Sequence, residues 1–298
     1  MKRVGISVCL ILVLAAGFLG AQQRRVYNDG EIDYVPDSAK IRLYAEDMES
    51  SLDYIQYTVN KGDLKRYNGA ITLTDEGRYV IAYRAFDMLG NISKEKIYSC
   101  VVDATPPYFS GSASGPAFLE DGVAYLTSDT VLALWAEDEL SGVSAVYVNL
   151  DGQGFTEYTG PSTVPGEGKH TARAYAEDNV GNRTRTYSGT AYIDDTPPEV
   201  EIIPEDDFVV LQGDNFTRPT NSYSVDAFDN IAGVREITVS IDGSGEFVYS
   251  EPFAVQGTGW HTVSARASDY LGNASDPVRL RFYVDTKTPS TDLEITPE

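Results

Sequence analysis

The sequence predicts an all-β protein, arranged as a tandem array of three small β-sandwich domains after a signal peptide. The first observation behind this prediction is an internal repeat. The loop AEDNVGN at 176–182 returns as AFDMLGN at 85–91 and as ASDYLGN at 267–273, each time 91 residues away. The second observation is the two-residue alternation of apolar and polar side chains within each copy, as in HTARAYAED at 170–178. No segment of the copies shows a convincing helical period.

The repeat holds its register along most of its length, since five columns keep the 91-residue interval in all three copies. These columns are Asp47/Asp138/Asp229, Tyr67/Tyr158/Tyr249, Gly77/Gly168/Gly259, Asp87/Asp178/Asp269 and Asp103/Asp194/Asp285. The interval is close to the length of one sandwich domain, roughly 100 residues. The predicted boundaries are a signal peptide at 1–21, domains at 22–105, 106–196 and 197–288, and a tail or first strand of a truncated fourth repeat at 289–298.

The N-terminus has the pattern of a secretory signal, which predicts export to the periplasm or the outer cell surface. Lys2 and Arg3 precede an apolar run over 4–19, and small residues follow at Gly20 and Ala21. A membrane anchor is the alternative, but the run is short for a bilayer. Cys100 is the only cysteine after this segment, which predicts a buried thiol and no disulfide within the chain.

Charge and residue types argue against two classes of function. A net charge of −22 would repel nucleic acid and favours cation binding or solubility. The chain has two histidines, His170 and His261, which share one column, so no histidine-based nucleophilic or zinc site can be assembled. We expect this column to act as a strand-end polar group that bonds backbone. The sequence therefore predicts that the protein is not an enzyme.

The two tryptophans lead to opposite expectations. Trp135 lies in the apolar run TVLALWAED at 130–138, which predicts a core position. Trp260 shares its column with Arg78 and Lys169, which predicts an exposed ring that could bind a ligand.

Taken together, the strand endings A-E-D-x-x-G-N, the linkers VDATPP at 102–107 and IDDTPP at 193–198, and the turn AEDELSGV at 136–143 resemble bacterial immunoglobulin-like repeats. The similarity is to those of exported spirochaetal surface proteins, including the leptospiral outer-membrane type. It implies immunoglobulin-like sandwiches and a binding or spacer role with a protein or glycan ligand. Repeat 1 departs from the pattern, because AEDMESSLDYI at 45–55 lacks the Ser-Gly-Val turn.

The acidic columns predict a metal site at each joint between repeats. In a seven-strand sandwich the second and sixth strands end at the pole that faces the preceding domain, where the linker also enters. Carboxylates drawn together there repel one another unless a cation or a proton lies among them, and oxygen ligands suit Ca²⁺. The residues expected to converge are Asp103, Glu137, Asp138 and Asp178 at the first joint, and Asp194, Asp195, Asp229 and Asp269 at the second.

The acidic loop at 176–182 has two other interpretations, one as a different kind of calcium site and one as a simple turn. An EF-hand is excluded because Val180 stands where a ligand is needed and no glutamate follows at the required spacing. The other alternative is that each acid caps its own turn by bonding backbone amides. This second alternative stays open.

The predicted function is a stiff, non-enzymatic exported rod that acts as a cell-envelope spacer or adhesion module. A carbohydrate-binding module around Trp260 is the first alternative, and an outer-membrane β-barrel component is the second. The tail STDLEITPE at 290–298 echoes the first strand of repeat 3, EVEIIPE at 199–205, while repeat 1 lacks part of its own first strand. This pairing suggests head-to-tail self-association through the C-terminal strand.

Overall fold

A computed structural model of the chain describes residues 8–9 and 24–294. Every regular element within those residues is a β-strand, which confirms the predicted all-β class. No helix in this part of the chain is long and apolar enough to cross a membrane. The predicted signal peptide lies outside the described residues, except for the two-residue strand β1 (Val8–Cys9), which pairs with Ser112 and Ala113.

The strands fall into three sets that follow the sequence repeats. Repeat 1 contains β2 (Tyr27–Asn28), β3 (Asp33–Pro36), β4 (Lys40–Ile41), β5 (Leu52–Val59), β6 (Lys65–Arg66), β7 (Ile71–Thr72), β8 (Gly77–Asp87) and β9 (Lys96–Asp103). Repeat 2 contains β10 (Tyr108–Ser114), β11 (Ala117–Glu120), β12 (Val123–Leu126), β13 (Val131–Glu137), β14 (Val143–Leu150), β15 (Thr156–Glu157), β16 (Gly168–Asp178) and β17 (Tyr187–Ile193). Repeat 3 contains β18 (Glu199–Pro204), β19 (Val209–Leu211), β20 (Asp214–Thr217), β21 (Ser222–Phe228), β22 (Val234–Ile241), β23 (Glu246–Val248), β24 (Phe253–Ala254), β25 (Gly259–Asp269) and β26 (Val278–Val284).

The longest strands begin and end at the same column in every repeat. β8, β16 and β25 pair antiparallel with β5, β14 and β22, and each pairing shifts register at the same column, one residue after the start of the shorter strand. β3, β12 and β20 run parallel to β9, β17 and β26. Identical bulges at identical columns mean that the repeats share one backbone plan around the strand ends that carry the acids.

By its packing the chain divides into two compact units. Unit 1 comprises Met1–Ala113, Leu132–Ser162 and Thr171–Thr190, and unit 2 comprises Ser114–Val131, Thr163–His170 and Ala191–Glu298. Unit 1 holds the core of repeat 1 around Ile81, Cys100 and Val102, and a second cluster around Phe109. Unit 2 holds the core of repeat 3 around Tyr223, Val239 and Phe282.

The structure corrects one expectation about the core and bears out others. Trp135 is 43% exposed, so its prediction as a core residue is wrong, whereas Trp260 is 41% exposed as expected. Cys100 is fully buried. The His170 ring lies 2.9 Å from the carbonyl oxygen of Gly166, and the His261 ring makes the same kind of contact to Gly257 at 3.3 Å. This column therefore bonds backbone at the start of a strand.

Repeats 2 and 3 open with a strand that repeat 1 lacks within the described residues. β18 pairs antiparallel with β21 over six residues, and β10 lies beside β13 in the equivalent sheet. The matching columns of repeat 1 are residues 17–23, which fall outside the described part of the chain. After β26, residues 285–294 form no strand.

Candidate metal sites at the repeat boundaries

The repeated loop at 85–91, 176–182 and 267–273 is an aspartate-capped turn. Oδ1 of Asp178 accepts hydrogen bonds from the backbone amides of Val180, Gly181 and Asn182 at 3.0, 2.6 and 2.7 Å. Gly181 has a φ of 94°, a conformation that glycine adopts without steric cost. The backbone amides of the turn therefore bind only Oδ1 of each such aspartate, and Oδ2 accepts none of these bonds. Asp269 repeats this arrangement with Leu271, Gly272 and Asn273 at 2.9, 2.6 and 2.8 Å.

The asparagine at the end of the loop binds the linker that arrives from the preceding repeat. Nδ2 of Asn182 donates to the backbone oxygen of Asp103 at 3.1 Å and to Oδ2 of Asp178 at 2.6 Å. The backbone amide of Ser141 donates to Oδ2 of Asp103 at 3.0 Å. Because Asp103 ends the last strand of repeat 1, these bonds tie that strand to two loops of repeat 2.

The second boundary is built in the same way. Nδ2 of Asn273 donates to the backbone oxygen of Asp194 at 3.0 Å and to Oδ2 of Asp269 at 2.7 Å. The amide of Ala232 donates to Oδ2 of Asp194 at 2.8 Å. The linker aspartate therefore makes equivalent hydrogen bonds at the two boundaries.

A third aspartate completes each group. Oδ1 of Asp138 accepts from the amides of Leu140 and Gly142 at 3.2 and 2.8 Å. Oδ1 of Asp229 accepts from Ile231 and Gly233 at 3.1 and 2.6 Å. Oδ2 of Asp229 is buried without a hydrogen-bond partner. A buried carboxylate oxygen without a donor is costly, so this atom lacks a partner that it should have.

The three aspartates of each boundary lie close enough to share one ion. We call Asp103, Asp138 and Asp178 the first triad, and Asp194, Asp229 and Asp269 the second triad. In each triad the oxygens lie within 4.8 Å of one another, with two residues buried and the third partly buried. None of the six forms an ion pair with a lysine, arginine or histidine of the described chain, and every donor named above is a neutral amide.

The pKa values of three triad aspartates reflect the closeness of these carboxylates. Burial raises the pKa of Asp178 to about 6, and the nearby Asp103 carboxylate also raises it, against hydrogen bonds from Asn182 that lower it. Burial and then the Asp103 charge raise the pKa of Asp138. Burial also raises the pKa of Asp194, and the charges of Asp229 and Asp269 add to the rise. The negative charge at both boundaries is therefore poorly compensated by the protein itself.

Two residues predicted for these sites lie outside the triads. Glu137 is exposed, and Asp195 is exposed and accepts the amide of Ser128 at 2.8 Å, which makes it a turn cap. Asn182 and Asn273, which sequence reasoning treated as turn residues only, are the groups that hold the linkers. Their shared column with Asn91 was the available signal.

Repeat 1 shows the same pole without a linker aspartate. There Oγ of Ser50 lies 2.6 Å from Oδ2 of Asp87 and 3.1 Å from Oδ1 of Asp47, and its single proton is donated to one of these two carboxylates. Hydrogen bonds from Ser50 and Asn91 hold the pKa of Asp87 at about 2, and a backbone bond from Ser50 lowers the pKa of Asp47. Two aspartates with a hydroxyl between them are well compensated, whereas three aspartates are not.

The donor set of each triad fits a hard divalent cation. Carboxylate oxygens are the ligands that Ca²⁺ prefers, and it takes about 6–8 oxygens, the remainder of which water can supply. Oδ2 of Asp229, which accepts no hydrogen bond, is an anionic oxygen that a cation could coordinate. In the first boundary the Oγ of Ser141 is also buried without a partner.

A second surface feature is an aromatic group on the outer face of repeat 3. The Trp260 ring lies 5.6 Å from Tyr283 and 6.2 Å from Phe216, and the Arg281 guanidinium lies 3.7 Å from the Trp260 ring centroid. The rings are not coplanar, since Trp260 lies at 83° to Tyr283, so a ligand would stack on the partly exposed Trp260 ring alone.

Comparison with known proteins gave no family assignment. No family model and no curated protein matches the chain. Fibronectin(III)-like modules of Clostridium thermocellum CbhA are similar at 14% identity and a TM-score of 0.33, covering 57% of this chain and 94% of theirs. A 1.5-MDa bacterial ice-binding adhesin is similar at 11% identity and a TM-score of 0.30, covering 77% of this chain and 84% of that chain. Chicken CNTN1 FN1-FN3 domains are similar at 11% identity and a TM-score of 0.26, covering 77% of this chain and 91% of that chain. At such values the likeness carries no functional argument.

Proposed function

We propose that this chain is an exported, non-enzymatic array of immunoglobulin-like repeats that serves as a spacer or adhesion module of the cell envelope, and that Ca²⁺ at the two triads locks each linker to the repeat that follows. The observation that carries the proposal is the convergence of three aspartates from three separate elements at each boundary, within 4.8 Å and without a cationic partner. The export and the envelope location rest on the signal-like N-terminus and on the resemblance described above.

Electrostatics give the reason for an ion. In a partly buried pocket, burial and mutual repulsion both favour protonation of three carboxylates, as the pKa of about 6 for Asp178 indicates. A divalent cation removes most of that penalty at once. Because one aspartate of each triad belongs to the linker, the ion contributes its binding energy directly to the contact between linker and repeat.

The donor set favours calcium over magnesium. Mg²⁺ needs near-ideal octahedral geometry and gives up its waters reluctantly, whereas Ca²⁺ tolerates irregular sets of carboxylates. Backbone or asparagine amides donate to both carboxylate oxygens of the linker and loop aspartates, but only to Oδ1 of Asp138 and Asp229, which leaves an irregular set. An extracellular module with a dissociation constant of about 0.1–1 mM would be filled outside the cell.

Hydrogen exchange tests the proposal at single amides. The amides of Ser141 and Ala232 donate to the linker aspartates Asp103 and Asp194, so their exchange reports whether each linker is docked. Calcium at about 100 times its dissociation constant should slow their exchange by about 100-fold. Ser50 is the matched control, since its amide bonds Asp47 within its own loop. Equal exchange of Ser141 and Ala232 with calcium and with EDTA would contradict the proposal.

A carbohydrate-binding role is the second candidate, favoured by the aromatic group around Trp260. An aromatic ring such as that of Trp260 can stack on a sugar ring, and Arg281 can donate to hydroxyls. Glycan-array binding that Trp260→Ala removes and Trp135→Ala keeps would support this role. The Trp135 control is apt because both rings are similarly exposed, at 43% and 41%. Absence of binding to any glycan would leave the spacer role as the better account.

A further inference from the structure

The first strand of repeats 2 and 3 fills a slot between the sheets. In repeat 2, Phe109 of β10 is 8% exposed and packs against Val146, Ala174 and Ala176, with its ring 5.2 Å from that of Tyr187. In repeat 3, Ile202 of β18 is 8% exposed and joins the core. β18 also packs against β25 and β26 across the sandwich. This strand therefore closes one side of each domain.

Among residues 24–294, no strand occupies the same slot in repeat 1, and a groove lies there instead. The groove has a volume of about 430 Å³, against the roughly 30 Å³ that one water occupies, so it is no packing defect. Five of its lining residues occupy the columns that surround Phe109 in repeat 2. These are Ala45, Ile55, Tyr83, Ala85 and Lys96, which match Ala136, Val146, Ala174, Ala176 and Tyr187.

The strand that would border the groove is also unpaired. In repeat 3, residues 223–228 pair with β18, but the matching residues 41–46 of repeat 1 form a strand only at Ile41, where β4 ends. Tyr44, in the middle of that stretch, is 81% exposed. An apolar groove beside an unpaired strand edge is a template for an added strand.

We propose that this groove binds residues 290–298 of a second copy of the chain as an added antiparallel strand. The segment continues the repeat interval, so Thr291, Leu293 and Ile295 fall on the columns of Val200, Ile202 and Pro204, which face the core or its edge in repeat 3. Leu293 is 87% exposed, and residues 285–294 form no strand, although the amide of Asp285 still donates to the backbone oxygen of Thr217 at 2.9 Å. The proposal does not depend on calcium.

Charge explains why repeat 1 would accept this segment. The groove is lined by three basic residues, Arg84, Lys94 and Lys96, against one acid, Glu46, in a chain of net charge −22. The segment 290–298 carries three acids, Asp292, Glu294 and Glu298. The column of Lys96 is Tyr187 in repeat 2 and Val278 in repeat 3, so the lysine is particular to the repeat whose slot is open.

Sedimentation of the chain from Gln22 to Glu298 provides the first test. Wild type should associate as concentration rises, and Leu293→Asp should shift the association at least tenfold to higher concentration. Lys94→Glu with Lys96→Glu should weaken it similarly. Val210→Asp is the control, since Val210 is an apolar residue of β19 that is 62% exposed and lies outside the groove. A wild type that stays monomeric, or a Leu293→Asp variant that associates as wild type does, overturns the proposal.

A cross-linking experiment tests the register. In repeat 3, Glu201 pairs with Asp226, so the proposed strand places Asp292 opposite Tyr44 of the other copy. Tyr44→Cys combined with Asp292→Cys should give disulfide-linked chains after oxidation, since opposed β-carbons lie about 4.5–5.5 Å apart. Tyr44→Cys combined with Leu293→Cys, one residue out of register, should give far fewer. Equal yields for the two pairs, or none for either, would overturn the proposed contact.

Discussion

Acidification from about pH 7 to about pH 4.5 should stabilise the calcium-free protein, and should destabilise the protein when calcium is present. Most proteins lose stability on acidification, because their carboxylates are better stabilised folded than unfolded. Asp178 is the opposite case: its carboxyl titrates near its ordinary 3.8 when unfolded but at about 6 when folded. Between these values the folded state binds more protons, so stability rises as the pH falls.

The size of the effect follows from that shift. A shift of about two pH units at about 1.4 kcal/mol per unit corresponds to about 3 kcal/mol for complete protonation of Asp178. About 2 kcal/mol of this should be gained by about pH 4.5, because the unfolded carboxyl is still largely ionised there. Asp138 and Asp194 also have raised pKa values and add in the same direction. The low pKa of Asp87 opposes the effect only at lower pH.

Tryptophan fluorescence during urea unfolding can measure this in one repeat. Trp135 belongs to repeat 2 and Trp260 to repeat 3, so Trp260→Phe leaves a single reporter in the repeat that carries Asp138 and Asp178. Calcium at about 100 times its dissociation constant should add about 2.7 kcal/mol at neutral pH. Acid then removes that gain, because protons compete with the ion.

The result that would refute this reasoning is a calcium-free protein that steadily loses stability between about pH 7 and about pH 4.5. Such a result would mean that the aspartates of the first triad do not interact as the structure places them. An Asp178→Asn variant should keep only the part of the gain that Asp138 and Asp194 supply, so a variant that gained as much as wild type would point to another group.

Three further substitutions follow from particular contacts. Asp229→Asn should stabilise the calcium-free protein by about 1–3 kcal/mol, because its amide gives the buried position a donor, and should abolish stabilisation by calcium in repeat 3. Asp47→Asn in repeat 1 is the control and should leave the calcium response intact. Thermal unfolding of both variants measures these effects. Gly115→Ala should lower the melting temperature, because the new Cβ would lie 2.9 Å from the Cα of Thr130 at a φ of +141°, at a cost of about 1–3 kcal/mol. Phe109→Ala should cost about 3–5 kcal/mol in urea unfolding, and a loss below about 1 kcal/mol would contradict its role in closing repeat 2.

The all-β fold could be predicted because the sequence contains three copies of one repeat, which can be compared column by column. A single copy gives ambiguous strand patterns, but columns that recur every 91 residues separate turn residues from core residues. The correct position of Trp135 was present in the same comparison, since its column holds the exposed Tyr44 and the charged Asp226. The apolar run around Trp135 suggested a core strand, while the column indicated a solvent-facing one.

The sites were predictable only in part, for reasons of local geometry. Adjacent residues at a strand end point to opposite faces, so Asp138 and Asp194 can face the boundary while Glu137 and Asp195 face away from it. The role of Asn182 could not be read from its turn signature, because its contact with Asp103 joins residues far apart in sequence. The groove of repeat 1 could not be predicted from the sequence, because it is formed by the residues that surround the position of the first strand in repeats 2 and 3.

Counting bound calcium by native mass spectrometry tests the central claim most directly. The account predicts two ions per chain at millimolar calcium, one for each triad. Asp138→Asn and Asp229→Asn should each leave one ion, the double variant should leave none, and Asp47→Asn should still bind two. A wild-type chain that binds no calcium, or a double variant that binds as much as wild type, would contradict the claim that these boundaries are calcium sites.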